Sequence, residues 1–270
     1  MEILRPNPAP GALRHAVFDF DGTLSLLRAG WQRVMADQMV EALAATPRAE
    51  PEPALRAATV EPIYGLAGKP TLLQMQWLAD AVQARGGLAL TADAYKADYL
   101  VRLSTRLRHR AELESGQKPA AAFLVPGALA FVAALHARGV VCHIASGTDE
   151  HDVRAEAVLL GLSPYITHLR GARPDGSDAK RELIAQLMAE HHLAAAELAA
   201  FGDGRAEMEY ARAAGGLAIG VATTEDERDE VEPHKRTLLI GAGADVIVPN
   251  FTQPAALFAY LWPSASATSL

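Results

Sequence analysis

Short apolar runs alternate with helical stretches through the second half of the chain, and this alternation restricts the possible folds more than any other feature. The apolar runs lie at 140–145, 198–201, 217–221 and 246–248. Strands that alternate with helices of about 10–15 residues form a parallel sheet with helices on both faces. The sequence therefore predicts an α/β fold.

An earlier apolar run, at 15–21, is separated from this region by mostly helical sequence. The helical patterns of that interval lie at 31–43, 70–82 and 91–114. The simplest interpretation is an α-helical cap domain inserted into the α/β core. We therefore predict a core formed by residues 1–24 and 125–270, and a cap formed by residues 25–124.

Composition and charge exclude several classes of protein. The chain has 270 residues, 50% hydrophobic and 21% charged, as in globular proteins of one or two domains. No apolar run approaches the roughly 18 residues of a membrane helix, and a net charge of −7 argues against a broad nucleic-acid surface. The single Cys142 excludes a disulfide framework, and no targeting segment is evident. We expect a cytoplasmic monomer or homodimer without a membrane or nucleic-acid partner.

Acidic residues follow two of the predicted strands at the points where those strands end. Asp19 and Asp21 end the first strand and point to the same side of it, because residues two apart in an extended chain share a face. Asp203 and Glu207 follow a later strand. Open α/β sheets bind ligands at this carboxyl edge. Taken alone, each pair is equally well explained as an aspartate turn or a capped helix start.

Convergence of these four carboxylates would carry an electrostatic cost. Two unit charges about 4 Å apart repel by about 4 kcal/mol at an effective dielectric constant near 20. A divalent cation removes that cost, and a set of oxygen ligands suits Mg²⁺. The acidic residues together therefore indicate a Mg²⁺ site.

Two further features indicate an anion site at the same edge. Ser146 and Gly147 lie between a strand and a helix, where backbone amides and the helix dipole favour an anion. Lys180 lies in the first turn of a predicted helix, where its charge opposes the dipole. The alternatives are an ordinary helix cap for Ser146 and a solvated lysine on a helix face for Lys180.

Four segments of the sequence resemble, in order, the four motifs of the haloacid dehalogenase superfamily. They are Asp19-x-Asp21-Gly22-Thr23, the strand that ends at Ser146, Lys180, and Gly202-Asp203-x-x-x-Glu207. The resemblance implies a Rossmann-like, doubly wound parallel sheet. It also implies that the inserted segment is the helical cap of the family, in the arrangement of β-phosphoglucomutase.

The resemblance implies roles for the acidic residues. Asp19 attacks phosphorus and forms an aspartyl-phosphate, while Asp21 protonates the leaving oxygen and then deprotonates the attacking water. Dehalogenases of the superfamily lack the second aspartate, so Asp21 favours phosphoryl transfer. Mg²⁺ is assigned to the Asp19 carboxylate, the Asp21 backbone carbonyl and Asp203, with Glu207 as a ligand or a partner of the ligands.

The substrate contacts implied by the resemblance come from both domains. Ser146, the Gly147 amide and Lys180 hold the phosphoryl oxygens, and Gly22 allows close approach of the backbone. The segment 66–70 resembles the substrate-specificity loop of the family's caps, which makes Lys69 a candidate substrate contact. The alternative for Lys69 is a lysine that merely starts a helix.

The favoured function is a Mg²⁺-dependent phosphatase that acts on a small phosphorylated metabolite, such as a sugar phosphate. A phosphomutase of the β-phosphoglucomutase type shares the core and cap and is the main alternative. A phosphonatase is less favoured, because its cap lysine forms a Schiff base and Lys69 is only loosely placed for that. A phosphorylation-switched signalling module is disfavoured, because such modules carry the phosphorylated aspartate on a middle strand and lack a cap.

Overall fold

One sheet of seven strands forms the centre of the structure, a computed structural model that describes residues 1–106, 108–173, 178–224 and 230–263. The strands are β1 (Glu2–Ile3), β2 (His15–Phe18), β3 (Val141–Asp149), β4 (Ile166–Ala172), β5 (Leu198–Gly202), β6 (Leu217–Val221) and β7 (Val246–Val248). Their order is β1-β7-β6-β5-β2-β3-β4. β1 runs antiparallel to β7, and all other neighbours are parallel, so the carboxyl ends of β5, β2 and β3 lie side by side.

Helices fill the interval between β2 and β3 and alternate with the later strands. Between β2 and β3 lie α1 (Trp31–Ala44), α2 (Glu52–Ala58), α3 (Val60–Gly65), α4 (Thr71–Ala84), α5 (Ala92–Arg106), α6 (His109–Glu114) and α7 (Ala128–Ala137). After β3 follow α8 (Glu150–Leu159), α9 (Ala179–Glu190), α10 (Arg205–Ala213), α11 (Pro233–Gly241) and α12 (Pro254–Leu261). No helix in these described segments is long and apolar enough to cross a bilayer. The alternation confirms the predicted α/β class.

Separate hydrophobic clusters show how the chain packs. One cluster surrounds the sheet and includes the stacked rings of Phe18 and Phe201, whose centroids are 4.6 Å apart. A second cluster joins α1, α4 and α5 around the buried Met39. Leu26 and Phe123, on either side of the inserted helices, belong to the cluster of the sheet. The helices from α1 to α5 thus have a core of their own, while the predicted domain boundaries stay a prediction.

Several elements differ from the sequence-based expectation. The first strand ends at Phe18, although the Asp19 amide still donates a hydrogen bond to the Phe201 carbonyl at 2.8 Å. The helix expected at 91–114 is two helices, α5 and α6. β1, α11 and α12 were not anticipated. β1 has two residues, too few for a recognisable alternation of apolar and polar side chains.

Four histidines lie together near the amino ends of the central strands, away from the carboxyl edge. The rings of His15 and His143 stack with centroids 5.4 Å apart, and those of His143 and His168 at 5.1 Å. His191 packs against His15 at 4.6 Å. Burial of His143, and then the neighbouring imidazoles, lowers its pKa to about 3. His143 is therefore neutral in the folded protein at physiological pH.

The buried His143 should make the fold sensitive to acid. In the unfolded chain this imidazole takes up a proton near its ordinary pKa of 6.5, whereas in the folded chain it stays neutral until about pH 3. Protonation of His143 in the unfolded chain thus lowers the free energy of unfolding as pH falls from 6.5 towards 3, by up to about 1.4 kcal/mol per pH unit. Urea unfolding at about pH 7 and about pH 4.5 should show a smaller loss in His143→Leu than in the wild type.

The exposed His151 supplies the matched control, because its side chain is 91% accessible. His151→Leu should retain the pH dependence of the wild type. An unchanged pH dependence in His143→Leu would show that His143 is not the source of the acid sensitivity.

Candidate active site

A cavity lies between the carboxyl edge of the sheet and the cap helices. The loops after β2 and β5 and the last residues of β3 form its floor, residues of α1, α3, α4 and α5 form the facing wall, and α11 adds one side. The floor carries Asp19, Asp21, Ser146, Gly147 and Asp203. The carboxyl edge is where open α/β sheets bind ligands. The parallel arrangement of three strands therefore brings distant motifs into one space.

Asp19, Lys180 and Glu207 form a buried group on this floor. The Lys180 Nζ lies 2.9 Å from Asp19 Oδ1 and also contacts the Glu207 carboxylate, and all three side chains are less than a tenth exposed. Burial raises the pKa of Asp19 well above its usual range; the Lys180 charge opposes this shift, and the charges of Glu207 and Asp203 add to it. Burial alone would lower the pKa of Lys180, but the two carboxylates outweigh it and raise that pKa.

The Asp21 carboxylate is held by one donor on each oxygen. Arg28 Nη1 donates to Oδ1 at 3.1 Å, and Thr148 Oγ1 donates to Oδ2 at 2.7 Å. Arg28 is in turn bound by Glu156 of α8. Asp21 is therefore fixed in direction, while each of its oxygens retains a second lone pair for another partner.

Ser146 and Gly147 lie where β3 passes the floor of the cavity. Ser146 is 2% exposed, and its Oγ accepts a hydrogen bond from the Thr148 amide at 3.1 Å. A Cβ on Gly147 would lie 2.5 Å from the Lys69 carbonyl oxygen. Only glycine therefore fits beneath the cap loop at this point.

Asp203 packs against the turn that follows Asp19. Gly22 has φ +75°, and a Cβ there would lie 2.1 Å from Asp203 Oδ2. Lys235 Nζ of α11 lies 2.8 Å from the same oxygen. No motif marked Lys235 in advance. The one available signal was the rarity of lysine, because four of the five lysines in the sequence line this cavity or contact Asp19.

The donors near Asp203 fit Mg²⁺. Within the described ranges, no group of three or more His, Cys, Asp or Glu side chains is arranged to hold a metal ion. Mg²⁺, however, usually takes one or two carboxylates and keeps several waters. Asp19 and Asp203 are close enough for their charges to interact, and Asp203 lies directly against the Asp21–Gly22 turn. Glu207 is engaged by Lys180, which suits a partner of the site better than a ligand.

The cap loop at 66–70 lies directly on this floor. Gly68 has φ +84°, and a Cβ there would lie 2.8 Å from Glu207 Oε1 and 2.9 Å from Lys180 Nζ. Lys69 lines the cavity and has no ion pair with the other residues that the structure describes. The cap is also tied to the core by Lys96, whose Nζ lies 2.6 Å from Asp149 Oδ1. The structure thus shows the cap closed over the site.

Several solved structures share this fold. A predicted phosphoglycolate phosphatase from Haemophilus somnus has a TM-score of 0.58 at 16% identity, covering 91% of this chain and 98% of that chain. A putative β-phosphoglucomutase from Thermotoga maritima has a TM-score of 0.54 at 15% identity, covering 91% and 99%. A phosphonoacetaldehyde hydrolase-like protein from Oleispira antarctica has a TM-score of 0.60 at 15% identity, covering 96% of each chain. Identities this low establish similarity of fold alone.

The sequence itself places the chain in a family. Comparison with curated proteins finds no match. The family described as haloacid dehalogenase-like hydrolase matches residues 13–215, a segment that contains Asp19, Ser146, Lys180 and Asp203. The chain therefore belongs to the haloacid dehalogenase-like hydrolases.

Proposed function

We propose that the chain is a Mg²⁺-dependent phosphatase that hydrolyses a small phosphorylated metabolite through an aspartyl-phosphate. The observation that carries this proposal is the buried contact between Asp19 and Lys180, 2.9 Å long, on a floor shared with Asp203 and Ser146. A carboxylate beside a fixed ammonium at an anion-binding strand end can attack phosphorus while the ammonium holds a phosphoryl oxygen. The closed cap limits the space to a small ligand.

In the first step, an Asp19 oxygen forms a bond to phosphorus and the bond to the leaving oxygen breaks. Lys180, the Ser146 hydroxyl and the Gly147 amide hold the three phosphoryl oxygens as charge spreads over them. Asp21 gives its proton to the leaving oxygen. Mg²⁺, when bound, neutralises charge on the transferring group.

In the second step, water attacks the phosphorus of the aspartyl-phosphate. Asp21, now ionised, takes the proton of that water, the bond from phosphorus to Asp19 breaks, and phosphate leaves. Both carboxylates return to their starting states, so the cycle balances. The cap excludes other water while the substrate alcohol is present. Lys69, on the cap loop that lines the cavity, is the proposed contact to the polar part of the leaving group.

Phosphate release tests the proposal directly. With Mg²⁺, the purified protein should release phosphate from at least one member of a panel of phosphorylated sugars, nucleotides, amino acids and phosphonates. Asp19→Asn should lower that release by about 10³-fold or more, because an amide cannot form the acyl-phosphate. Removal of Mg²⁺ by a chelator should have a similar effect.

The exposed Asp80 provides a control of the same chemistry, because it lies on the outer side of α4. Asp80→Asn should keep full activity. Equal release by the wild type and Asp19→Asn would show that the activity comes from elsewhere. Isomerisation of a sugar phosphate without net phosphate release would replace the phosphatase with a mutase.

The position of Lys235 leads to a prediction about the metal. The Lys235 ammonium forms an ion pair with the Asp203 carboxylate. A cation that binds Asp203 must therefore compete with Lys235 and is repelled by its charge. Lys235→Gln should therefore tighten Mg²⁺ binding by about tenfold, equivalent to about 1.4 kcal/mol. Calorimetric titration with Mg²⁺ measures this without any substrate.

Lys118 is the matched control for this titration, since it pairs with Glu112 away from the cavity. Lys118→Gln should bind Mg²⁺ as the wild type does, and Asp203→Asn should bind it much more weakly. Weaker binding by Lys235→Gln would mean that Lys235 orients Asp203 instead of competing for it.

A further inference from the structure

A buried carboxylate outside the cavity connects both ends of the cap to the candidate acid. Glu156, on the core helix α8, is 2% exposed and does not line the cavity. Its two oxygens bind the guanidinium of Arg28, one of these contacts being 2.9 Å from Nη2 to Oε1. Arg110 Nη1 reaches Glu156 Oε1 at 3.4 Å.

The two arginines come from the two segments through which the chain enters and leaves the cap. Arg28 lies between β2 and α1, and Arg110 lies in α6. Arg110 also contacts Asp152 at 3.2 Å but has no contact with Asp21. One carboxylate of the core thus holds both connections. Arg28 continues from it to Asp21, whereas Arg110 continues to Asp152 at the wall of the cavity.

The path from Glu156 to Asp21 runs through one nitrogen of Arg28. Arg28 Nη1 contacts Glu156 and also donates to Asp21 Oδ1 at 3.1 Å. A planar guanidinium held at both terminal nitrogens by one carboxylate has a fixed plane. The direction in which Arg28 meets Asp21 is therefore set by Glu156. The Arg28 side chain is 14% exposed, so water competes little for these contacts.

We propose that Glu156 is a positioning residue: it holds Arg28 so that the Asp21 carboxyl is aimed at the leaving oxygen when the cap is closed. The inference rests on the proposed function, because the role of Asp21 as proton donor comes from it. A carboxylate that only fastened the cap would act equally on every substrate. If Glu156 instead orients Asp21, its loss should slow most strongly those substrates whose leaving oxygen needs a proton.

Two phosphate esters separate these roles. Glycerol 2-phosphate has an alkoxide leaving group that requires protonation, whereas p-nitrophenolate leaves p-nitrophenyl phosphate without a proton. The constant kcat/KM covers the steps up to departure of the first product, so it excludes later hydrolysis of the aspartyl-phosphate. Glu156→Gln keeps the shape and removes the charge. It should lower kcat/KM for glycerol 2-phosphate by about 10- to 100-fold and for p-nitrophenyl phosphate by less than about threefold.

Arg110→Gln is the matched control, because it breaks the other arm of the same carboxylate. It should leave the ratio of the two kcat/KM values unchanged. Arg28→Gln should change that ratio as Glu156→Gln does, and the double variant should be no worse than either single variant, since both act on one path. Should Glu156→Gln fail to fold in a thermal unfolding control, Arg28→Lys, which keeps the charge and loses the fork, should show the same change in the ratio.

Equal losses on both esters in Glu156→Gln, or in Arg28→Lys where that variant replaces it, would overturn the positioning role and leave the phosphatase assignment intact. A change in the ratio with Arg110→Gln would likewise overturn it in favour of a fastening role. A wild type that cleaves no phosphate ester would instead refute the proposed function, and this inference with it.

Discussion

The site depends on the balance of charge where carboxylates are buried at one edge of the sheet. Asp19 and Glu207 are almost fully enclosed, and burial of an unpaired charge costs several kcal/mol. Lys180, also buried, contacts both. Lys180 is the one cation of this group, so its removal would leave two buried carboxylates without a counter-charge. The chemistry of the site and the stability of the sheet edge therefore rest on the same contacts.

The cap is part of this arrangement and not merely a cover. Gly68 and Gly147 meet where the cap loop touches the core, and neither position has room for a Cβ. The loop therefore reaches the Lys180 and Glu207 side chains with its backbone, and Lys69 of the same loop lines the cavity. The cap loop therefore forms part of the site as well as covering it.

Local patterns in the sequence were enough to predict the sheet and the meeting of Asp19 and Asp203 at its edge, while the family resemblance added Lys180. This was possible because parallel strands all end at one edge, so a residue at a strand end has a known place whatever the rest of the chain does. Lys235 and the contact of Arg28 with Glu156 could not be foreseen. They depend on how α11 and α8 are placed against the site, which no periodicity encodes. The roles of all these residues stay predictions.

The distribution of charge bears on how an acidic protein would attract the anionic substrate of the proposed function. The chain carries a net charge of −7, yet lysines 69, 96 and 235 line the cavity and Lys180 contacts its floor. Three of these four are paired with carboxylates of the core, so most of the lysine charge is already balanced before anything binds. A cation at Asp203 would displace the ammonium of Lys235 from that carboxylate, and the cavity would become positive. Under the proposed function, a metal ion at Asp203 would thus favour the binding of phosphate.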